Sequence, residues 1–238
     1  MIFDCKVKET KGRLKVKFKK RPESRKRFAS KLIRDKVILD IKNARKFLKS
    51  KGDKEIYRVF HFEANGLSCD FTLLRHGIFS VSKTGEPFET YGHVHERYMG
   101  EAYTVLKNSC FFELADKKTY ETFILYLKKG DSIFIHPRFL HRVISFRKDC
   151  FVVNFVPKRA GHDYKVIKNK GFPIHLVYHL KEGAVGFVKN EKYRKARFRF
   201  VKRVRTKDPI KLFEKDPEKL KDILEKPKRY KKLYFKGK

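Results

Sequence analysis

Residues 55–77 read EIYRVFHFEANGLSCDFTLLRHG. Two runs rich in Ile, Val, Phe, Tyr and Leu flank Asn65 and Gly66, a pair whose tolerance of positive φ suits a tight hairpin turn. The texture continues to about residue 156 through IFSVSK, EAYTVL, CFFEL, TFILYL, SIFIHP, HRVISF and CFVVNFV, with turn signals such as TGEP and KKGD between them. Closely spaced strands without intervening helices predict an all-β antiparallel sandwich or barrel with minor helices.

Outside this block the patterning changes. RLKVKF, from Arg13 to Phe18, alternates apolar and basic residues as an exposed or edge strand does. Asp40 can cap a helix whose stripe is Ile41, Ala44, Phe47 and Leu48 and which Gly52 stops. Beyond the strands, AGHDYKVIKNKG predicts a short helix closed by Gly171, and IHLVYHLKEGAVGFV a last hairpin. DPEKLKDILEKP reads as a helix capped by Asp216, with Pro217 in its first turn and Pro227 as terminator. The expected organisation is a basic extension with a packing helix over 1–54, a barrel domain over 55–193 and a basic extension over 194–238.

With 238 residues and 41% apolar content the chain can bury a real core, and it is not a disordered polycation. No apolar run is long enough to span a bilayer and the first residues hold no hydrophobic stretch of signal-peptide type, so a soluble cytoplasmic protein is expected. Cys5, Cys69, Cys110 and Cys150 form no CxxC pair and read as reduced, mostly buried thiols. The net charge of +34 sits at the ends: +14 over residues 1–55, +13 over 194–238 and +7 between. Such a surplus attracts polyanions and phosphorylated small molecules alike, although a solvated lysine-rich surface accounts for it equally well.

The chemistry centres on GHVHERYMGEAY, residues 92–103. In extended backbone, residues i and i+2 share a face, so His93 and His95 project together. Glu101 follows a short loop, with Tyr103 on its face, and KKGDSIFIHPRFLHRVIS supplies His141. Three imidazoles and a carboxylate suit one divalent first-row metal, iron, manganese, nickel or zinc, with positions open to substrate oxygens. A bare HxH taken alone reads as two exposed or hydrogen-bonded histidines. His136 and His76 fall at turns, and His61, His175 and His179 read as ordinary strand histidines.

TYGHVHERYMGEAYTVL, GDSIFIHPRFLHRV and, most specifically, PKRAGHDYKVIKNKGFP together resemble the cupin-type phosphoglucose isomerases of archaea, from roughly Arg25 to Tyr193. The resemblance implies a cupin double-stranded β-helix, or jelly-roll barrel, carrying helical and basic terminal extensions. It implies that His93, His95, Glu101 and His141 hold one divalent metal ion per subunit, iron foremost. It places a sugar phosphate near Thr72, Thr90, Gly92 and Tyr103, and makes Glu101, His162 and Tyr164 the catalytic candidates. A homodimer is implied as well. Read alone, Thr72 and Thr90 reflect strand propensity and Gly92 a kink. The sequence departs from the family pattern in a shorter loop between His95 and Glu101, in Gly100 where proline is expected, in His136 within a Pro-Pro turn, and in Val156 where a tyrosine is expected.

The implied activity is interconversion of glucose 6-phosphate and fructose 6-phosphate, by enediol proton transfer or by hydride shift. Two competing readings are another sugar-phosphate isomerase or epimerase on the same site, and a non-catalytic cupin that binds nucleic acid through its basic termini. The latter is motivated by RKARFRFVKRVR and KRYKKLYFK. No membrane partner is expected.

Overall fold

The computed structural model describes residues 4–201, 204 and 206–237. In chain order it contains β1 (Cys5–Thr10), β2 (Arg13–Phe18), β3 (Glu23–Phe28), α1 (Ala29–Arg34), α2 (Ile41–Lys51), β4 (Glu55–Ala64), β5 (Leu67–Leu74), β6 (Thr84–Gly85), β7 (Glu101–Lys107), β8 (Ser109–Asp116) and β9 (Glu121–Lys128). There follow β10 (Ser132–Ile135), β11 (Phe139–Ser145), β12 (Cys150–Pro157), β13 (Ile174–His179), β14 (Ala184–Lys189), β15 (Arg197–Val201), α3 (Pro209–Lys215) and α4 (Pro217–Glu225).

The hairpin legible at Asn65 and Gly66 is β4–β5. Ala64 pairs with Leu67, and both turn residues carry positive φ, 52° and 72°. This is the backbone that two-residue hairpins require. The pair lies in a six-stranded sheet of order β10-β7-β12-β5-β4-β3, opposite a four-stranded sheet of order β11-β8-β9-β15. Val105, Ile133 and Val152 of the first sheet share one buried cluster with Phe112, Leu114, Leu125 and Val143 of the second. The result is the mostly-β cupin barrel expected from the sequence. Phe47 of α2 packs edge-on against Phe79 and Phe88, centroids 6.1 and 5.8 Å away, and closes one side of that core.

The outer face of the six-stranded sheet is covered by the two termini. Phe60, Phe71, Phe151 and Phe155 cluster with Leu14 of β2 and with Phe213, Leu220 and Leu224 of α3 and α4. Consequently β12 is buried along its whole length, as its unbroken apolar run CFVVNFV demands. The terminal segments bury their apolar residues here and turn their lysines outward: Lys6, Lys8, Lys15 and Lys17 are all exposed on β1 and β2.

The helices expected after Asp40 and Asp216 are present, and each aspartate accepts a backbone N–H of the first turn. The helix expected over AGHDYKVIKNKG does not form. Asp163 is drawn into a bridge with Val94, and Asn169 has φ 63°, so the segment becomes successive turns that Gly171, φ 72°, ends. IFSVSK is likewise irregular apart from the Ile78–Pro87 bridge. β3 and β15 offered no clear apolar stripe, whereas α3 opens on Asp208 and Pro209, the same cap signal that marks α4, and escaped the sequence reading. ESRKRF has one apolar residue, and β15 is an edge strand exposed along most of its length, with Phe198 and Phe200 43% and 48% exposed. Within RKARFRFVKRVR, Lys202, Arg203 and Arg205 lie outside the described residues. Among the described residues, no helix is long and apolar enough to cross a membrane. All four cysteines are free.

Candidate active site

The segment bearing His93 and His95 is extended but is held at single points rather than in a regular strand. His93 N–H donates to the His141 carbonyl at 3.1 Å and His141 N–H returns the bond at 3.0 Å, while Val94 pairs with Asp163. The i,i+2 rule still applies because the backbone is extended, and the two imidazole centroids lie 5.3 Å apart. Gly92 sets the direction of entry. Its φ is 77°, and a Cβ there would stand 2.5 Å from the Phe172 ring and 3.0 Å from the His141 carbonyl. Only glycine meets both demands.

Glu101 opens β7 and His141 lies in β11, which Arg142 anchors. The buried guanidinium of Arg142 donates to Glu89, to Glu113 Oε2 at 2.7 Å and to the Ile174 carbonyl at 3.0 Å. It also lies over the Phe172 ring at 4.3 Å. Removing one partner from a buried ion cluster of this kind is costly, because it leaves an uncompensated buried charge.

Four side chains converge. The Nε2 atoms of His141, His95 and His93 lie 2.7, 3.2 and 3.4 Å from Glu101 Oε2. Burial alone would raise the Glu101 carboxyl, but His141, His93 and His95 outweigh it and hold it well below the usual carboxylate range. Burial, then the neighbouring His141, keeps His93 well below the usual imidazole range and therefore neutral.

The donor chemistry fits a metal ion. His95 Nδ1 bonds the Met99 carbonyl at 2.6 Å and His141 Nδ1 the Phe139 carbonyl at 3.3 Å. With Nδ1 of both rings bonded to the backbone, Nε2 is the atom each ring has left to ligate an ion, the arrangement that orients metal-binding histidines. His93 Nε2 is buried without a hydrogen-bond partner. One ligand atom from each of the four residues lies within 4.8 Å of the others, a span approached by bonds of about 2.1 Å on opposite sides of one ion. Asn154 Nδ2 donates to Glu101 Oε1 at 2.6 Å and fixes the carboxylate plane.

The site opens into a cavity of about 180 Å³. Thr72, Thr90, Gly92, Tyr103, His162 and Tyr164 line it with His93, Glu101 and His141. His95 is absent from that wall; it closes the ligand set from behind, its side chain 1% exposed. The His162 ring lies 4.4 Å from His93, and Tyr164 stacks on His162 at 6.2 Å. Thr90 Oγ1 accepts the Val143 N–H at 3.0 Å, which leaves its proton for a ligand. Val156 packs in a small cluster with Met99 and Ala160.

Among the wall residues that escaped the sequence reading are Arg25, Arg27, Asp70 and Asn154. Asp70 stands at i−2 from Thr72 in CDFTLL, and Asn154 is the one polar residue inside CFVVNFV. Those two signals were available. Arg25 and Arg27 belong to a strand with no apolar stripe and gave none.

Barrel and site together define a cupin whose His/Glu cluster is compatible with a metal ion, beside a cavity lined by hydroxyls and guanidinium groups. The sequence model of the glucose-6-phosphate isomerase (GPI) family matches residues 28–195, and the chain belongs to that family. A glucose-6-phosphate isomerase of Thermococcus litoralis is 28% identical over 146 residues, 60% of this chain and 75% of the relative. One from Pyrococcus furiosus is 26% identical over 152 residues, 63% and 79% of the two chains. Among solved structures, an oxalate decarboxylase of Bacillus subtilis aligns with TM-score 0.35 and 13% identity, over 43% of this chain and 25% of that one.

Proposed function

We propose that this chain is a metal-dependent aldose–ketose isomerase that interconverts glucose 6-phosphate and fructose 6-phosphate in glycolysis or gluconeogenesis. The observation that carries the reading is the convergence of His93, His95 and His141 on Glu101 at a cavity whose walls also present hydroxyls and guanidinium groups. Family membership supports the substrate class.

The reaction moves a hydrogen between adjacent carbons while negative charge grows on a carbonyl oxygen. A divalent cation, when bound, supplies a Lewis acid that draws that charge and orients both neighbouring oxygens. In this reading His93, His95, Glu101 and His141 hold one ion per subunit, iron first, with manganese, nickel or zinc as alternatives. Thr72, Thr90 and the Gly92 backbone receive the phosphate beside Tyr103, with Arg25 and Arg27 balancing its charge. His162 and Tyr164 hold the sugar hydroxyls and assist ring opening. The barrel domain spans 55–193 between two basic extensions, the first of which contributes Arg25 and Arg27 to the cavity; the protein acts in the cytoplasm and forms a homodimer.

The test is a coupled assay with glucose 6-phosphate, fructose 6-phosphate and mannose 6-phosphate on metal-stripped protein, with iron, manganese, nickel or zinc added back and with chelator as control. Glucose 6-phosphate turnover restored by one of these metals and abolished by chelator is expected. Turnover of mannose 6-phosphate alone would reassign the substrate, and no turnover with any metal would remove the proposal.

A further inference from the structure

The cavity wall carries a second carboxylate, outside the four converging side chains. Antiparallel register places Glu23, His61, Asp70, Asn154 and Tyr103 in one line across β3, β4, β5, β12 and β7. Alternation along β5 puts Asp70 on the same face as Thr72, about 7 Å along the strand. Asp70, Asn154 and Tyr103 from this line reach the cavity.

Glu101 is poorly placed to accept a proton from substrate. Its Oε1 receives the Asn154 amide and its Oε2 faces three imidazole nitrogens. Asp70 is differently situated. Its Oδ1 lies 2.6 Å from His61 Nδ1, and one-fifth of its side chain is exposed. His61 Nε2 in turn lies 3.4 Å from Glu63 Oε1, and Glu63 is half exposed and paired with Lys158. Ionisable groups therefore run unbroken from the cavity to solvent.

The groups that face Asp70 are His61 on β4, Arg25 on β3, and Glu101 and Tyr103 on β7, with Tyr164 across the cavity. Burial first, and Glu101 in the same sense, raise the Asp70 carboxyl above its ordinary value, while His61 and Arg25 oppose the rise. A base with higher proton affinity is the better proton carrier near neutral pH.

We propose that Asp70, backed by His61, is the catalytic base that moves the carbon-bound proton of the sugar phosphate, and that His61 exchanges that proton with solvent. The inference rests on the isomerase reading above. In the aldose-to-ketose direction the Asp70 carboxylate takes the proton from C2. The C–H electron pair becomes the C1=C2 double bond, and the carbonyl π pair moves to O1. The O2 proton then passes to O1, the O2–H pair forms C2=O, and the double-bond pair collects a proton from Asp70 at C1. Protons and electrons balance without any co-reactant.

Three proteins decide the matter: wild type, Asp70→Asn and His61→Gln, each assayed with the activating metal in deuterium oxide, with metal content measured on the same samples. The wild type should incorporate deuterium at the transferred position. Asp70→Asn should keep its metal, hold KM within about threefold and lose about 100-fold or more in kcat. His61→Gln should lose less, and the acid limb of its kcat/KM profile should move to higher pH, because the group opposing the burial effect is gone. Wild-type kcat in Asp70→Asn, or wild-type turnover without deuterium incorporation, overturns the assignment while leaving the isomerase reading intact. A wild type inactive with every metal overturns both. Should Asp70→Asn fail to fold, the direction of the pH shift in His61→Gln decides, and no shift overturns it.

Discussion

Replacing Gly100 by alanine tests whether the C-terminal segment is part of the foundation of the site. Gly100 directly precedes Glu101, and its N–H donates to the Leu224 carbonyl of α4 at 2.7 Å, a bond that the proline expected from the family pattern could not make. A Cβ at this position would fall on the Tyr234 ring, 2.7 Å from its Cζ. Tyr234 cannot easily yield: it is 4% exposed, its hydroxyl donates to the Ile223 carbonyl at 2.7 Å, and the Phe134 and His136 rings lie 6.0 and 5.7 Å away. Overpacking of this kind costs about 1–3 kcal/mol. Tyr234→Ala by itself removes a buried aromatic, about 3–5 kcal/mol. In the double variant the new methyl occupies space the ring has left. The combined loss should therefore fall short of the sum by about 1–3 kcal/mol, well outside the scatter of about 0.5 kcal/mol seen for independent sites. Urea denaturation of the metal-free proteins, followed by circular dichroism, gives the values if the slope is unchanged. Additivity within that scatter would refute the buttress.

Three further outcomes follow from the site and its surroundings. Asn154→Leu should weaken manganese or zinc binding by about 10- to 100-fold in calorimetric titration, because a buried carboxylate oxygen loses its donor; unchanged affinity would free Asn154 of that role. Arg27→Ala should raise KM for glucose 6-phosphate by roughly tenfold with kcat largely kept, the signature of lost uniform binding, and a fall confined to kcat would contradict it. Burial pushes Glu86 up, but the His175 imidazole and the backbone N–H groups of Asp40 and Leu39 outweigh it and hold the carboxyl below its usual value. The stability this contributes is present above the unfolded-state pKa and is lost as pH falls through the lower folded-state value, so Glu86→Gln should flatten the acid side of a stability–pH curve. An unaltered acid limb would show that Glu86 is not among the groups that set it.

Much of the site was readable because its signals are local. His93 and His95 are two residues apart in extended chain, and Asn65-Gly66 specifies its hairpin from two residues alone. The capped helices at Asp40 and Asp216 were equally local. The failures share a cause. AGHDYKVIKNKG resembles a helix in isolation, yet a bridge from Val94 to Asp163 holds its first residues extended. Asp70 and Asn154 look like stray polar residues until register sets them side by side, and His61 looks ordinary until Asp70 is opposite it.

The sequence by itself determined the strand-rich barrel, the metal-ligand candidates and the cupin isomerase resemblance, because alternation, turn chemistry and short motifs act over a few residues. Tertiary structure alone decided which distant residues share the cavity and what the basic ends do besides carry charge. Cross-strand register brings Arg25, Asp70 and Asn154 to one wall, and the apolar side of each terminus seals a sheet that would otherwise face water. Pairings of that kind depend on chain closure over tens of residues, where no local pattern chooses among the alternatives.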